Sequence, residues 1–250
     1  MDKLNLIEKE ALTNQEKEVY RTLRTNIEFT GVENQIIAVT SCMPDDGKTM
    51  VSFQIASALA EEGKKTLYMD ADLRKSIFMK RYSIDGNPKG LSHYLSGQLP
   101  LDEIIYASNR DNLYLIPVGK FPSNPTELFS KERFAIMLES LKKEFDYVII
   151  DTPPLGSVID AAVIAKQCDA SMLVIAADKT SRTFVRNVIQ QLKAANPNFL
   201  GVVLNKVDIK RSGYYYGRRY GGYYGGRYRS YGSYYGEEEK KDALHKEKEE

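Results

Sequence analysis

Six short runs are apolar at nearly every position rather than at alternate ones: QIIAVT (35–40), TLYMD (66–70), NLYLIPV (112–118), YVIID (147–151), SMLVIAA (171–177) and FLGVVL (199–204). A strand with one wet face alternates apolar and polar residues, so strands apolar on both faces must be covered on both. The stretches between them carry helical spacing. Val51, Ile55, Ala58 and Leu59 line one such stretch (48–62), which Gly63 closes as a C-cap, and others lie at 131–144, 158–167 and 181–195. This alternation predicts an α/β fold, a doubly wound parallel sheet with helices on both faces. Ligands of such sheets bind beyond the carboxyl ends of the strands.

Composition narrows the function class. A chain of 250 residues suffices for one α/β domain with short appendages. Its net charge of +1 gives no global attraction for nucleic acid or acidic lipid. Cys42 and Cys168 fit a reducing cytosol, and His93 and His245 lie too far apart for a zinc pair. The N-terminal MDKLNLIEKE is no signal peptide, and the apolar run at 172–177 is far too short to span a bilayer. A cytoplasmic location follows, with any membrane association supplied by a partner. The organisation expected is an N-terminal segment with a helix (1–30), a catalytic body (31–210), a tyrosine-rich tail (211–236) and a charged, solvated end (237–250).

Ser41-Cys42-Met43-Pro44-Asp45-Asp46-Gly47-Lys48-Thr49, with Met50 after it, follows a strand and opens a helix, the context a phosphate-binding P-loop requires. Such a loop turns backbone N–H groups onto a phosphate at a helix N-terminus. Gly47 admits a close backbone approach, Lys48 can reach the β- and γ-phosphates, and Thr49 can offer its hydroxyl to Mg²⁺. The usual first glycine would fall at position 42 or 43, where Cys42 and Met43 stand.

Two acidic motifs follow at strand ends. In Leu67-Tyr68-Met69-Asp70-Ala71-Asp72-Leu73-Arg74 the carboxylates at i and i+2 point the same way, which suits Mg²⁺ ligation and a general base. In Val148-Ile149-Ile150-Asp151-Thr152-Pro153-Pro154 a buried run delivers Asp151 at its end, a Walker B pattern whose acid holds Mg²⁺, usually through water. A rival signal is Asn205-Lys206-Val207-Asp208, an N-K-x-D of the kind that reads guanine in GTPases.

Residues 15–28 place Val19, Leu23 and Ile27 on one stripe and Glu18, Arg21 and Arg24 on a neighbouring face. Taken alone, that is a surface helix with an internal ion pair. The tail is more specific. Tyr214, Tyr215, Tyr216, Tyr220, Tyr223, Tyr224, Tyr228, Tyr231, Tyr234 and Tyr235 are interleaved with glycine and five arginines, against seven tyrosines in the rest of the chain. Such a segment cannot build a core and is expected to be flexible. About 25 flexible residues span roughly 25–30 Å on average, enough to bring tyrosines to a neighbouring subunit. Arginine, glycine and aromatic residues also suit single-stranded RNA, but that reading leaves the catalytic body without a purpose.

Together these residues resemble the bacterial tyrosine kinases of capsule and exopolysaccharide synthesis, over roughly residues 14–236. That family carries a Walker A, an apolar-D-x-D-x-R motif, an apolar-D-x-x-P Walker B, an E-x-x-R-x-x-R helix before the first strand and a terminal tyrosine cluster. Here they are Lys48-Thr49, Asp70/Asp72/Arg74, Asp151/Pro154, Glu18/Arg21/Arg24 and the tail. The resemblance implies a P-loop NTPase fold of the MinD/ParA-like type and an ATP- and Mg²⁺-dependent tyrosine autokinase. Lys48, Asp70, Asp72 and Asp151 would be catalytic, with Thr49, Asp72 and Asp151 at the metal and 41–50 with Asn205 around the nucleotide. It further implies a ring-shaped homo-oligomer, an octamer in the family, closed by the α-helical Glu18, Arg21 and Arg24. Implied partners are a separate membrane activator, as in the soluble Gram-positive type, a protein-tyrosine phosphatase and polysaccharide-synthesis enzymes, with no nucleic acid. The rival within the same fold, a MinD/ParA-like ATPase switch, carries an early P-loop lysine where this chain has Cys42-Met43-Pro44.

Overall fold

The computed structural model describes residues 2–8, 11–84 and 86–208. The tyrosine cluster and the charged end lie outside the described residues, which divide into a body ending at Lys206 and the first residues of a second unit beginning at Val207.

The body is an eight-stranded sheet between helices. In chain order the strands are β1 (Lys3–Leu4), β2 (Ile36–Ser41), β3 (Thr66–Asp70), β4 (Tyr106–Ser108), β5 (Leu113–Ile116), β6 (Tyr147–Asp151), β7 (Ala170–Ala176) and β8 (Phe199–Asn205). The helices are α1 (Asn14–Glu28), α2 (Lys48–Glu61), α3 (Phe78–Arg81), α4 (Leu91–Leu95), α5 (Pro125–Ser130), α6 (Glu132–Glu144), α7 (Asp160–Ala165) and α8 (Arg182–Ala195). The strands lie in the order β1-β4-β5-β3-β6-β2-β7-β8. The doubly wound sheet expected from the apolar runs is present, with one departure from a wholly parallel arrangement. β4 runs antiparallel to β5, because only residues 109–112 join them and so short a link cannot make a parallel crossover.

Both faces of the central strands are buried, whereas the edge strand β8 leaves Val202 and Leu204 each 42% exposed. Ile37, Val39, Tyr68, Ile149 and Val174 face one layer with Val51, Ile55 and Leu59 of α2 and Ile27 of α1. Ile36, Ala38, Met69, Val148, Ile150 and Leu173 face the other, with Phe134 and Leu138 of α6, Ile164 of α7 and Leu192 of α8. Gly63 ends α2 at φ +86, its N–H bonded to the Ala60 carbonyl. Thr13 and Glu16 open α1 as a reciprocal capping box, each accepting from the other's backbone N–H at 3.2 and 2.9 Å. The Val19–Leu23–Ile27 stripe is only partly used. Ile27 is buried, whereas Val19 is 53% exposed, so only the carboxyl half of α1 meets the core.

Candidate active site

The order of the central strands assembles the site. β3 and β6 pair in parallel with Asp70 opposite Asp151, and β2, on the other side of β6, delivers the loop that enters α2. Three segments remote in sequence therefore end side by side at the carboxyl edge.

The loop after β2 is tightly built. Cys42 and Asp46 are buried, whereas Met43, Pro44 and Asp45 form an exposed tip. Ser41 Oγ donates to the Met43 carbonyl at 2.9 Å, and Met43 N–H donates to Asp46 Oδ2 at 2.9 Å. Asp45 and Gly47 take φ of +63 and +95, the left-handed region where a side chain costs energy. Gly47 faces a second constraint, since a Cβ there would lie 2.1 Å from Asn205 Nδ2. Lys48 and Thr49 are buried in the first turn of α2, and Met50 is half-buried.

Lys48 Nζ bonds Asp72 Oδ2 at 3.0 Å and lies 3.7 Å from Asp151 Oδ2. Burial alone would pull this ammonium down, but Asp151 and Asp72 outweigh it and hold it above the ordinary lysine value. Asp70 and Asp151 are almost wholly buried. Burial, reinforced by Asp151, pushes the Asp70 carboxyl up to about 7. Burial likewise raises Asp151, against the pull of Lys48. Three carboxylates against one ammonium leave an excess of buried negative charge. Asp151 Oδ1 is also buried without a hydrogen-bond partner. A divalent cation fits both facts. Among the described residues no group of three or more His, Cys, Asp and Glu side chains converges as a direct ligand set. That suits Mg²⁺, which keeps several waters and is held jointly with phosphate oxygens.

Several supporting residues carried no recognised signal in the sequence. Ser76 donates a short hydrogen bond to Asp70 Oδ2, while Asp72 Oδ1 accepts from the N–H groups of Arg74 and Lys75 at 3.3 and 3.0 Å. Arg74 of the D-x-D-x-R motif turns away from the acids and pairs in a bidentate fashion with buried Asp160 at the start of α7. Thr126 of α5 joins it, donating to Asp160 and accepting from Arg74. Asn124 precedes α5, whose first turn opens on Pro125. Tyr68 Oη donates to Asp151 Oδ2 at 3.3 Å from inside an aromatic cluster with Phe53 and Phe78. Thr40 and Thr152 stitch the loop after Asp151 to β2 through the carbonyls of Pro153 and Val39, at 2.8 and 2.9 Å.

The helix residues sit elsewhere. Arg21 pairs with Glu18 at 3.4 Å on the exposed face of α1. Arg24 instead reaches Glu62, just past α2, at 2.6 Å, and Glu28 at 3.7 Å.

A strand, a glycine-lysine-threonine loop and a helix, flanked by strand-end acids on two neighbours, define a P-loop nucleotide-binding protein. A family model, the AAA domain, matches residues 34–200. The chain is 44% identical over 192 residues to the tyrosine-protein kinase CpsD of Streptococcus agalactiae, covering 77% of this chain and 84% of that one. It superposes on the kinase domain of Escherichia coli tyrosine kinase ETK with a TM-score of 0.73 at 36% identity, over 76% of this chain and 75% of that one. The septum site-determining protein MinD complexed with Mg-ADP, from Pyrococcus horikoshii OT3, gives 0.60 at 26% identity, over 70% and 72%. The chain belongs to the bacterial tyrosine-protein kinase family, as its motifs suggested, and shares its fold with MinD-type ATPases.

Proposed function

We propose that this chain transfers the γ-phosphoryl group of ATP to tyrosine hydroxyls of its own C-terminal cluster, between subunits, in the service of capsule or exopolysaccharide synthesis and export. The observation that carries the reading is the juxtaposition of Lys48 with Asp72 and Asp151, one strand from Asp70, at the mouth of a P-loop. Phosphoryl transfer spreads charge over the equatorial oxygens, so positioning and electrostatics dominate. The loop amides and Lys48 bind and orient the phosphates. Thr49 and, through water, Asp72 and Asp151 would hold Mg²⁺, which when bound would supply positive charge to offset that of the phosphates. Asp70 accepts the tyrosine proton. A phenol of pKa about 10 needs such a base, and a carboxyl raised to about 7 is a better one than an ordinary aspartate. Asp70 and Asp72 are open to exchange of these roles.

The phosphoacceptors are the tail tyrosines between Tyr214 and Tyr235. Glu18, Arg21 and Arg24 close a ring in which each tail enters a neighbour's site. Each phosphotyrosine adds about −1.5 to −2 charges, so full modification turns the tail strongly anionic and expels it from a site already lined with acids. Among the described residues no helix is long and apolar enough to cross a membrane. A separate membrane activator would bring the kinase to the inner face of the membrane, and a phosphatase would reset it. Incubation of the pure protein with MgATP, followed by mass-spectrometric mapping of phosphotyrosine, tests the reading. Phosphate on the cluster, formed undiminished when excess GTP is present, is the expected result. An unmodified tail in the presence of a membrane extract from the host would overturn it.

A further inference from the structure

We propose that Lys179, Asn205 and Lys206 are positioning residues that shape the phosphate-binding loop through three consecutive peptide units. The inference rests on the reading of 43–49 as a phosphate cradle. Lys179 Nζ donates to the Pro44 carbonyl at 3.1 Å, Lys206 Nζ to the Asp45 carbonyl at 2.6 Å, and Asn205 Nδ2 to the Asp46 carbonyl at 2.9 Å. The donors come from the segment between β7 and α8 and from the end of β8, well over a hundred residues from the loop.

Each carbonyl shares a planar, trans peptide with the next residue's N–H, and the two point in opposite directions. Pinning the oxygens of Pro44, Asp45 and Asp46 on one side therefore turns the N–H groups of Asp45, Asp46 and Gly47 to the other. Donation to a carbonyl also polarises the peptide, so its N–H becomes a stronger donor. Two of the three donors are ammonium groups, which enlarges the effect.

The loop needs such outside support. Asp45 has a side chain and a φ of +63, a conformation that persists only where the surroundings impose it. The straps are specialised in turn. Lys206 has φ +57, and Asp178, immediately before Lys179, has φ +55. Gly47 has no side chain where Asn205 Nδ2 passes. Both lysines are exposed, and isolated exposed contacts add little stability. Convergence on three successive carbonyls of one loop is economical as a device for geometry and poor as one for folding.

The test uses Lys179→Met and Lys206→Met, each beside its arginine counterpart. In the nucleotide-free protein, amide NMR should show an upfield shift at Asp46 for Lys206→Met and at Asp45 for Lys179→Met. Titration with a fluorescent ADP analogue should show affinity weakened about three- to tenfold by each methionine and largely restored by arginine. The KM for ATP should rise more than kcat falls, and the nucleotide-free melting temperature should move by less than about 2 °C. Unmoved Asp45 and Asp46 amides, unchanged affinity, or an affinity loss matched by a lowered melting temperature would overturn the proposal. A wild type that binds no ADP would instead overturn the nucleotide reading, while the amide shifts still decide whether the straps hold the loop.

Discussion

Lys48, Asp70, Asp72 and Asp151 at the carboxyl edge are 9, 0, 4 and 1% exposed, whereas the side chains of Glu18 and Arg21 on α1 are 68 and 55% exposed. Both regions are rich in charge, yet the physics differs. Taking an ion out of water costs several kcal/mol even after relaxation, and a buried set with excess acid is unfavourable until another cation completes it. An exposed pair three residues apart on a helix is nearly neutral energetically. A cluster that weakens the fold points to chemistry. An inexpensive pair on a half-exposed helix points at most to contact with something else.

The comparison breaks most sharply at Lys48. Lys48→Met should reduce tyrosine phosphorylation by about 10²–10³-fold, read by mass spectrometry. It should also lower the unfolding free energy in urea by about 2–4 kcal/mol, because Asp72 and Asp151 lose their ammonium. Undiminished phosphotyrosine would remove the site from the mechanism.

Asp70→Asn should have the opposite effect on stability. An aspartate near 4 in the unfolded chain and about 7 in the fold binds its proton more tightly when folded. Its favourable contribution is complete below about pH 4 and is lost as the pH rises through about 7. The nucleotide-free Asn variant should therefore be more stable than wild type at pH 8, by on the order of 1–3 kcal/mol, and the gap should narrow as the pH falls through about 7 and close only near about pH 4. Phosphorylation should be lost throughout. A gap independent of pH would show that Asp70 does not titrate in this range.

A smaller effect is expected one layer out. Asp160→Ala should cost about 1–3 kcal/mol by leaving Arg74 and Thr126 without their acceptor, and should lower kcat by loosening the Asp72 turn. Smallest are the helix pairs. Arg24→Ala should cost about 1 kcal/mol, since its side chain is 16% exposed and bridges to Glu62, and Arg21→Ala no more than about 0.5 kcal/mol. If Arg21 serves a ring, light scattering will show a fall in mass with Arg21→Glu while the melting temperature stays in place.

Much of the architecture was legible in residue type alone. The six apolar runs became six strands; the central ones are covered on both faces, as their composition requires, whereas β8 at the sheet edge keeps Val202 and Leu204 exposed. Gly63 was read correctly as a helix end because its φ of +86 suits glycine. β1, with two residues, and β4, with three, left no period to detect, and α3 is a single turn. Val19 shares a stripe with Ile27 yet stays exposed, because helical spacing cannot tell which half of a helix has a neighbour.

The sequence by itself determined which atoms are available for chemistry: a left-handed glycine before a lysine, and acids released where apolar strands stop. Those are local properties of backbone sterics and side-chain type. Tertiary structure decided which of them meet. Nothing local sets β3 beside β6 rather than beside β2, yet that neighbour order puts Asp70 opposite Asp151 and brings both within the field of Lys48. The same is true of Lys179, Asn205 and Lys206: in the sequence only the last two carried a signal, as part of an N-K-x-D, and their bonds to the P-loop carbonyls arise once the end of β8 is laid beside that loop. Strand pairing is a long-range choice made by the packing of whole layers, and so the residues that tune this site are visible only once those layers are assembled.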